Sequence, residues 1–176
     1  DKLDSFVLDL NINYKTSFPT SLIMIDNNLY ASYSNGTLVS FNTDGKVNWI
    51  KEFDNIIKTP LKVFNNNIIL LTSNEIISIY PGTGEINWNY KYDGEKLLSS
   101  KGGDIVSINH LLFYILPNSK IGEVNVLFGE LNEAIFTNIN TIIPYKQNSS
   151  KLHAYENYLS IFEKNKFLST LDINKN

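Results

Sequence analysis

The sequence predicts an all-β fold built from repeated four-strand units, and three observations carry that expectation. Two stretches say nearly the same thing: Asn28-Leu-Tyr-Ala-Ser-Tyr-Ser-Asn-Gly-Thr-Leu-Val-Ser-Phe-Asn-Thr-Asp-Gly-Lys-Val-Asn-Trp49 and Asn67-Ile-Ile-Leu-Leu-Thr-Ser-Asn-Glu-Ile-Ile-Ser-Ile-Tyr-Pro-Gly-Thr-Gly-Glu-Ile-Asn-Trp88. Their Trp residues, like their opening Asn residues, stand 39 positions apart. The longest apolar runs, Ile68 to Leu71 and Leu111 to Leu116, are strand-sized, and Asn, Gly, Asp and Pro punctuate them. A fixed period of about forty with four short strands per unit is the mark of a β-propeller blade.

In the first complete unit, Leu22–Ile25 reads as strand one and Asp26-Asn27-Asn28 as its turn. Leu29–Tyr33 follows as strand two. Asn35-Gly36 then suits a type I′ hairpin, because both residues tolerate positive φ. Thr37–Phe41 is strand three, and Thr43-Asp44-Gly45 leads into strand four, Val47–Phe53.

The second unit repeats this order as Pro60–Phe64, Ile68–Thr72, Ile76–Tyr80 and Ile86–Tyr92, with Asn65–Asn67 as the first turn. Pro19 and Pro60 occupy equivalent places at strand starts, where a missing N–H breaks no interior ladder.

The third unit is degenerate. Ile105–Ile108, Leu111–Leu116 and Gly122–Phe128 are its first three strands, with Pro117–Lys120 as a turn. Gly129-Glu130-Leu131-Asn132 sits where Gly84-Glu85-Ile86-Asn87 sat, but Glu133 replaces the Trp, and Ala134–Asn138 reads as strand four. The fourth unit offers Leu152–Tyr155, Tyr158–Phe162 and Phe167–Asp172.

Residues 1–176 thus read as one propeller domain with blades near 18–56, 57–103, 104–141 and 142–176. Ser5–Leu10, within 1–17, reads as the outer strand of a preceding blade. This is about four blades' worth of chain, a partial propeller or half of an oligomeric one, since propellers close with about four to eight blades. Of the two, a piece of a longer propeller is the expectation, because the last unit lacks a fourth strand.

Composition narrows the chemistry. Hydrophobic residues make up 43% and charged ones 19%, which excludes a disordered chain. A net charge of −3 argues against nucleic acid as the partner. With no Cys, thiolate metal sites, Cys nucleophiles and disulfides are excluded. All 15 basic residues are Lys, so the bidentate Arg fork for phosphate or carboxylate is missing. That absence, beside 25 Asn, reads as the codon bias of an AT-rich genome. No run approaches the ~18 apolar residues of a membrane-spanning helix. The chain opens at Asp1 with neither Met nor a basic leader, which reads as a trimmed or processed product.

At the third turn of each unit the pattern resembles a known family. Ser78-Ile-Tyr-Pro-Gly-Thr-Gly-Glu-Ile-Asn-Trp88 resembles the Ala-x-Asp-x-x-Thr-Gly-Lys-x-x-Trp repeat of pyrroloquinoline-quinone-like, quinoprotein-type propellers. Ser40-Phe-Asn-Thr-Asp-Gly-Lys-Val-Asn-Trp49 matches it with one residue fewer in the turn. The resemblance implies blade-docking roles for Gly45, Trp49, Gly84 and Trp88. A Gly leaves its peptide plane bare, and a neighbouring blade's indole can stack there. The match is good over residues 20–92 and weak elsewhere.

One branch of that family holds a quinone and calcium on the propeller axis of a dehydrogenase. Another is non-catalytic and binds proteins, as does the lipoprotein propeller of the outer-membrane β-barrel assembly machinery. The enzymes are expected to carry an Arg near the quinone and often adjacent Cys, and this chain has neither. The resemblance therefore implies an extracytoplasmic or periplasmic, non-catalytic scaffold for protein–protein contacts, without cofactor, metal or catalytic residues. The alternative is a piece of a quinoprotein dehydrogenase whose active-site blades lie elsewhere.

The remaining candidates carry bland readings. His110 and His153 fall at similar points before a second strand, with no paired His spacing, and read as turn or surface residues. The carboxylates are scattered; Asp26, Asp44, Glu85, Asp104, Glu123 and the others read mostly as turn caps or solvated groups. The segments 92–103 and 144–151 read as long inter-blade loops, where propellers meet partners. Asn35-Gly36-Thr37 and Asn148-Ser149-Ser150 fit the N-glycosylation pattern, as chance allows in so Asn-rich a chain.

Overall fold

Strand-period alternation and short Asn-rich turns dictate antiparallel meanders, and the computed structural model contains four of them. It describes residues 17–57, 59–91, 104–115, 121–126, 130–132, 151–162 and 168–174, and among these there is no helix. Sheet one runs β1 (Pro19–Ile25), β2 (Asn28–Tyr33), β3 (Thr37–Asn42) and β4 (Val47–Glu52) in sequential order. Sheet two repeats it with β5 (Lys62–Phe64), β6 (Asn67–Leu71), β7 (Glu75–Ile79) and β8 (Ile86–Lys91). Sheet three holds β9 (Ile105–Ile108), β10 (Leu111–Ile115), β11 (Ile121–Asn125) and β12 (Glu130–Asn132). Sheet four holds β13 (Lys151–Tyr155), β14 (Tyr158–Phe162) and β15 (Leu168–Asp172).

The first hairpin of every sheet closes with two residues, and the first of the two always has positive φ: Asp26, Asn65, Asn109 and Glu156. Asn65 and Asn66 are both positive, at 45° and 59°, so the type I′ geometry lies there. Asn35-Gly36 does not adopt it. Only Gly36 is positive (94°), and its N–H closes a turn on the Tyr33 carbonyl at 3.1 Å. A Cβ on Gly36 would meet the Phe53 and Asn55 carbonyl oxygens at 2.6 and 2.7 Å, so contact with the blade exit fixes this turn.

In the first three sheets the central strands are buried on both faces, which is why the long apolar runs fall on β6, β7 and β10, whereas β14 in sheet four is buried on one face only. Sheets stack face to face. Tyr30, Leu38, Ile68, Leu70, Ile77 and Ile79 form the core between sheets one and two. Ile69, Leu71, Ile76, Leu112, Tyr114 and Val124 fill the space between two and three. Phe113, Ile115, Ile121, Leu152, Leu159 and Ile161 fill that between three and four.

Sheet three corrects one expected element. Its fourth strand is Glu130–Asn132, paired with β11 through Val124 and Leu131, and starts four residues before the expected Ala134–Asn138. The missing Trp removed the marker that fixed this strand in the first two units. The expected strand Ser5–Leu10, the turn Pro117–Lys120, Gly129, residues 134–138 and the loop residues 92–103 and 144–150 lie outside the described residues, while Lys151 opens β13.

Candidate functional site

The turn between third and fourth strands positions the first set of candidates. Gly45 and Gly84 both have positive φ, at 82° and 73°. Trp49, on β4, reaches across to the β7–β8 turn. Its Nε1 donates to the Pro81 carbonyl at 2.9 Å, and a Cβ on Gly84 would lie 2.9 Å from the indole carbons. Tyr30 tilts against the same indole with centroids 5.9 Å apart.

Trp88, one repeat later, packs beside the core between sheets two and three, with the Tyr90 ring centroid 5.8 Å away. Its buried Nε1 finds no acceptor among the described residues, and neither does the Ser78 hydroxyl opposite it on β7. The first repeat differs for a simple reason. Ser40 receives the Asn48 amide at 3.2 Å, whereas in sheet two the equivalent Asn87 accepts from the Tyr80 hydroxyl at 2.7 Å instead.

Polar ties join the sheets near their first strands. Leu61 N donates to the Ser21 hydroxyl at 3.1 Å, linking sheets one and two. Asp104 accepts from Leu152 N and from Ile105 N, both at 3.0 Å, and so links three and four. Asp104 and Glu123 are buried rather than turn-exposed, contrary to expectation. Glu123 sits on central β11, where both faces are covered. Burial pushes its carboxyl above the usual range, and His110 pulls it part of the way back. Neither was legible as buried, since alternation alone does not mark a strand covered on both faces.

The two His occupy different repeat positions, another correction. His110 is the second turn residue between β9 and β10, whereas His153 lies within β13, three residues before its turn. Both are exposed. No group of three or more His, Asp or Glu could hold a metal among the described residues.

The first strands of sheets two, three and four line a cavity of about 310 Å³, with Lys62, Phe64, Val106, Ser107, His153 and Ala154 on its walls. Sequence reasoning missed it, because its lining comes from three sheets, a whole repeat apart in the chain. At either end of the stack a sheet face carries exposed apolar groups. On sheet one they are confined to the outer strands, Leu22 and Met24 on β1 and Ile50 on β4, with the middle of that face buried at Ala31, Val39 and Phe41; on sheet four they are Tyr155, Tyr158 and Phe162.

No protein-family model matches this sequence, and no curated protein matches it significantly. Solved structures do resemble it. The designed protein Ika4 superposes with a TM-score of 0.69 at 14% identity, over 97% of this chain and 99% of that one. BamB from Moraxella catarrhalis gives 0.64 at 13% identity, over 89% of this chain and 47% of its own. The Pan2 WD40 domain of Neurospora crassa gives 0.67 at 13% identity, over 92% and 48%. The chain therefore spans about half the length of these two natural structures and the whole of the designed one. Four stacked antiparallel meanders with such neighbours make this an all-β protein of β-propeller blades.

Proposed function

We propose that this chain is a non-catalytic, extracytoplasmic propeller that scaffolds protein–protein contacts, in the manner of the outer-membrane assembly propeller its repeat resembles. Residues 1–176 form one partial propeller domain, with blades near 18–56, 57–103, 104–141 and 142–176, and Gly45, Trp49, Gly84 and Trp88 dock neighbouring blades. The observation that carries the reading is the exposed apolar groups at the two ends of the stack, on the outer strands of sheet one and the outer face of sheet four. Leu22 and Met24 are 62% and 57% exposed on one, and Tyr155 and Phe162 are 66% and 48% exposed on the other. Apolar groups clustered on a sheet face favour burial against another protein surface. The covering blades come from the rest of a longer propeller or from a second copy of this 20.1 kDa chain, and the ring's loops then remain free for other partners.

Light scattering tests the first step. A species near twice the chain mass, reverting to the single mass in Leu22→Lys, supports closure by a second copy. A photo-crosslinker placed in the turn at Thr43, away from both faces, tests the second. Adducts with one defined protein in cells, reproduced with that protein purified, support the scaffold. Quinone- and calcium-dependent dye reduction by the full-length protein would overturn it in favour of a quinoprotein dehydrogenase.

A further inference from the structure

The four first strands can be compared position by position, because each ends in the same two-residue turn. The third residue before that turn is Ile23 in β1, Lys62 in β5, Val106 in β9 and His153 in β13. The second residue before it is Met24, Val63, Ser107 and Ala154. Strand alternation sends the third residue towards the next sheet and the second back towards the previous one. Sheets one and two thus place Ile23 opposite the Val63 position, and sheets three and four place Val106 opposite Ala154. Sheets two and three place Lys62 opposite Ser107.

A cation and a hydroxyl therefore stand at one junction where two equivalent junctions are apolar. A break in an otherwise uniform pattern that adds no evident stability is where function is expected. Lys62 is half-buried, and among the described residues no ion pair neutralises it. It lines the 310 Å³ cavity with Ser107 and with His153, which occupies its own repeat position in sheet four. Among the described residues no carboxylate lines that cavity. Asp104, next to the lining, has both its oxygens bonded to backbone N–H groups. Phe64, Val106 and Ala154 supply apolar walls.

The geometry points to this cavity as a binding site for a carboxylate carried on a small apolar body. The carboxylate meets Lys62 and Ser107, which face each other between sheets two and three, and the body lies on Phe64, Val106 and Ala154, with His153 at the margin of the cavity. A partly desolvated ammonium favours an anionic partner, and the volume is at the small end of the ~300–1,000 Å³ typical of ligand sites. A free short-chain acid and the C-terminus of a peptide with an apolar last residue share this chemistry. The inference is independent of the scaffold reading.

Nuclear magnetic resonance on the full chain tests it, with hexanoate against hexanamide, and a tripeptide ending in phenylalanine with free against amidated terminus. Saturable shifts at Val106 and Ala154 are expected with an acid, at least about tenfold tighter than with its amide. Lys62→Ile installs the residue sheet one carries at this position, so the melting temperature should hold while acid affinity falls by at least about tenfold. Lys51→Gln, on β4, should leave binding unchanged. The tighter of the two acids identifies the source. Equal affinity for acid and amide, unchanged binding in a folded Lys62→Ile protein, or no shifts at millimolar probe would overturn the proposal.

Discussion

The Trp49 indole bonds the Pro81 carbonyl through Nε1 at 2.9 Å while its ring carbons lie over Gly84, so one side chain joins sheets one and two in two ways. Gly84 is committed twice over, by φ of 73° and by the indole 2.9 Å from where a Cβ would sit. Gly84→Ala should therefore cost about 2–4 kcal/mol, from left-handed strain plus overpacking. Trp49→Phe keeps much of the apolar area, loses the hydrogen bond and should cost about 1–3 kcal/mol. Urea unfolding followed by Trp88 fluorescence would check the second. A Gly84→Ala chain as stable as the parent would show that the junction is not fixed there.

Equivalent serines should respond with opposite signs. Ser40 accepts from the Asn48 amide, so Ser40→Ala should destabilise by about 1 kcal/mol. Ser78 is fully buried without a partner among the described residues, so Ser78→Ala should be neutral or stabilise by up to about 1 kcal/mol. Paired denaturant curves decide it, and a common sign would refute the account.

Much of this was legible in the sequence, and the exceptions have physical causes. Two Trp at one spacing, with Asn-rich turns before them, marked the strands of sheets one and two to within a few residues. In sheet three Glu133 stands at the Trp position, and the expected Ala134–Asn138 begins four residues after the start of β12. The Asn35-Gly36 dipeptide suggested a local turn type, but the carbonyls of Phe53 and Asn55, far along the chain, decided it. Asp104 and Glu123 look like any other acidic residue until the neighbouring sheet covers them.

Asp104 should hold the last two sheets together. Asp104→Ala leaves the Leu152 and Ile105 amides unpaired and should cost about 2–4 kcal/mol. Asp104→Asn keeps one acceptor and should cost less. Hydrogen exchange would report the change first at Leu152, whose amide should lose protection by more than those of β6. Equal loss everywhere would mean that the tie acts globally rather than at this junction.

Glu123 should make the protein less stable as pH rises. Its carboxyl holds a proton longer in the folded chain than the ordinary value of 4.5 allows, so the folded state binds more protons just above that pH. The sign is then fixed: stability is full below about 4.5 and declines as pH climbs through the raised folded value. Glu123→Gln should melt about 2–4 °C higher than the parent at neutral pH, and the gap should close at pH 4 or below. Melting curves at several pH values check this, and a gap that widens on acidification would reverse the assignment.

Among the described residues the three cores between sheets share no residue, and each draws its side chains from two adjacent sheets. Such a molecule behaves as a row of nearest neighbours, in which each contact layer stands or fails with little help from layers beyond the next. Duplicating or deleting one whole unit would then leave every other layer intact. A lineage could lengthen or shorten this array by recombination at the repeat period without relearning how to fold.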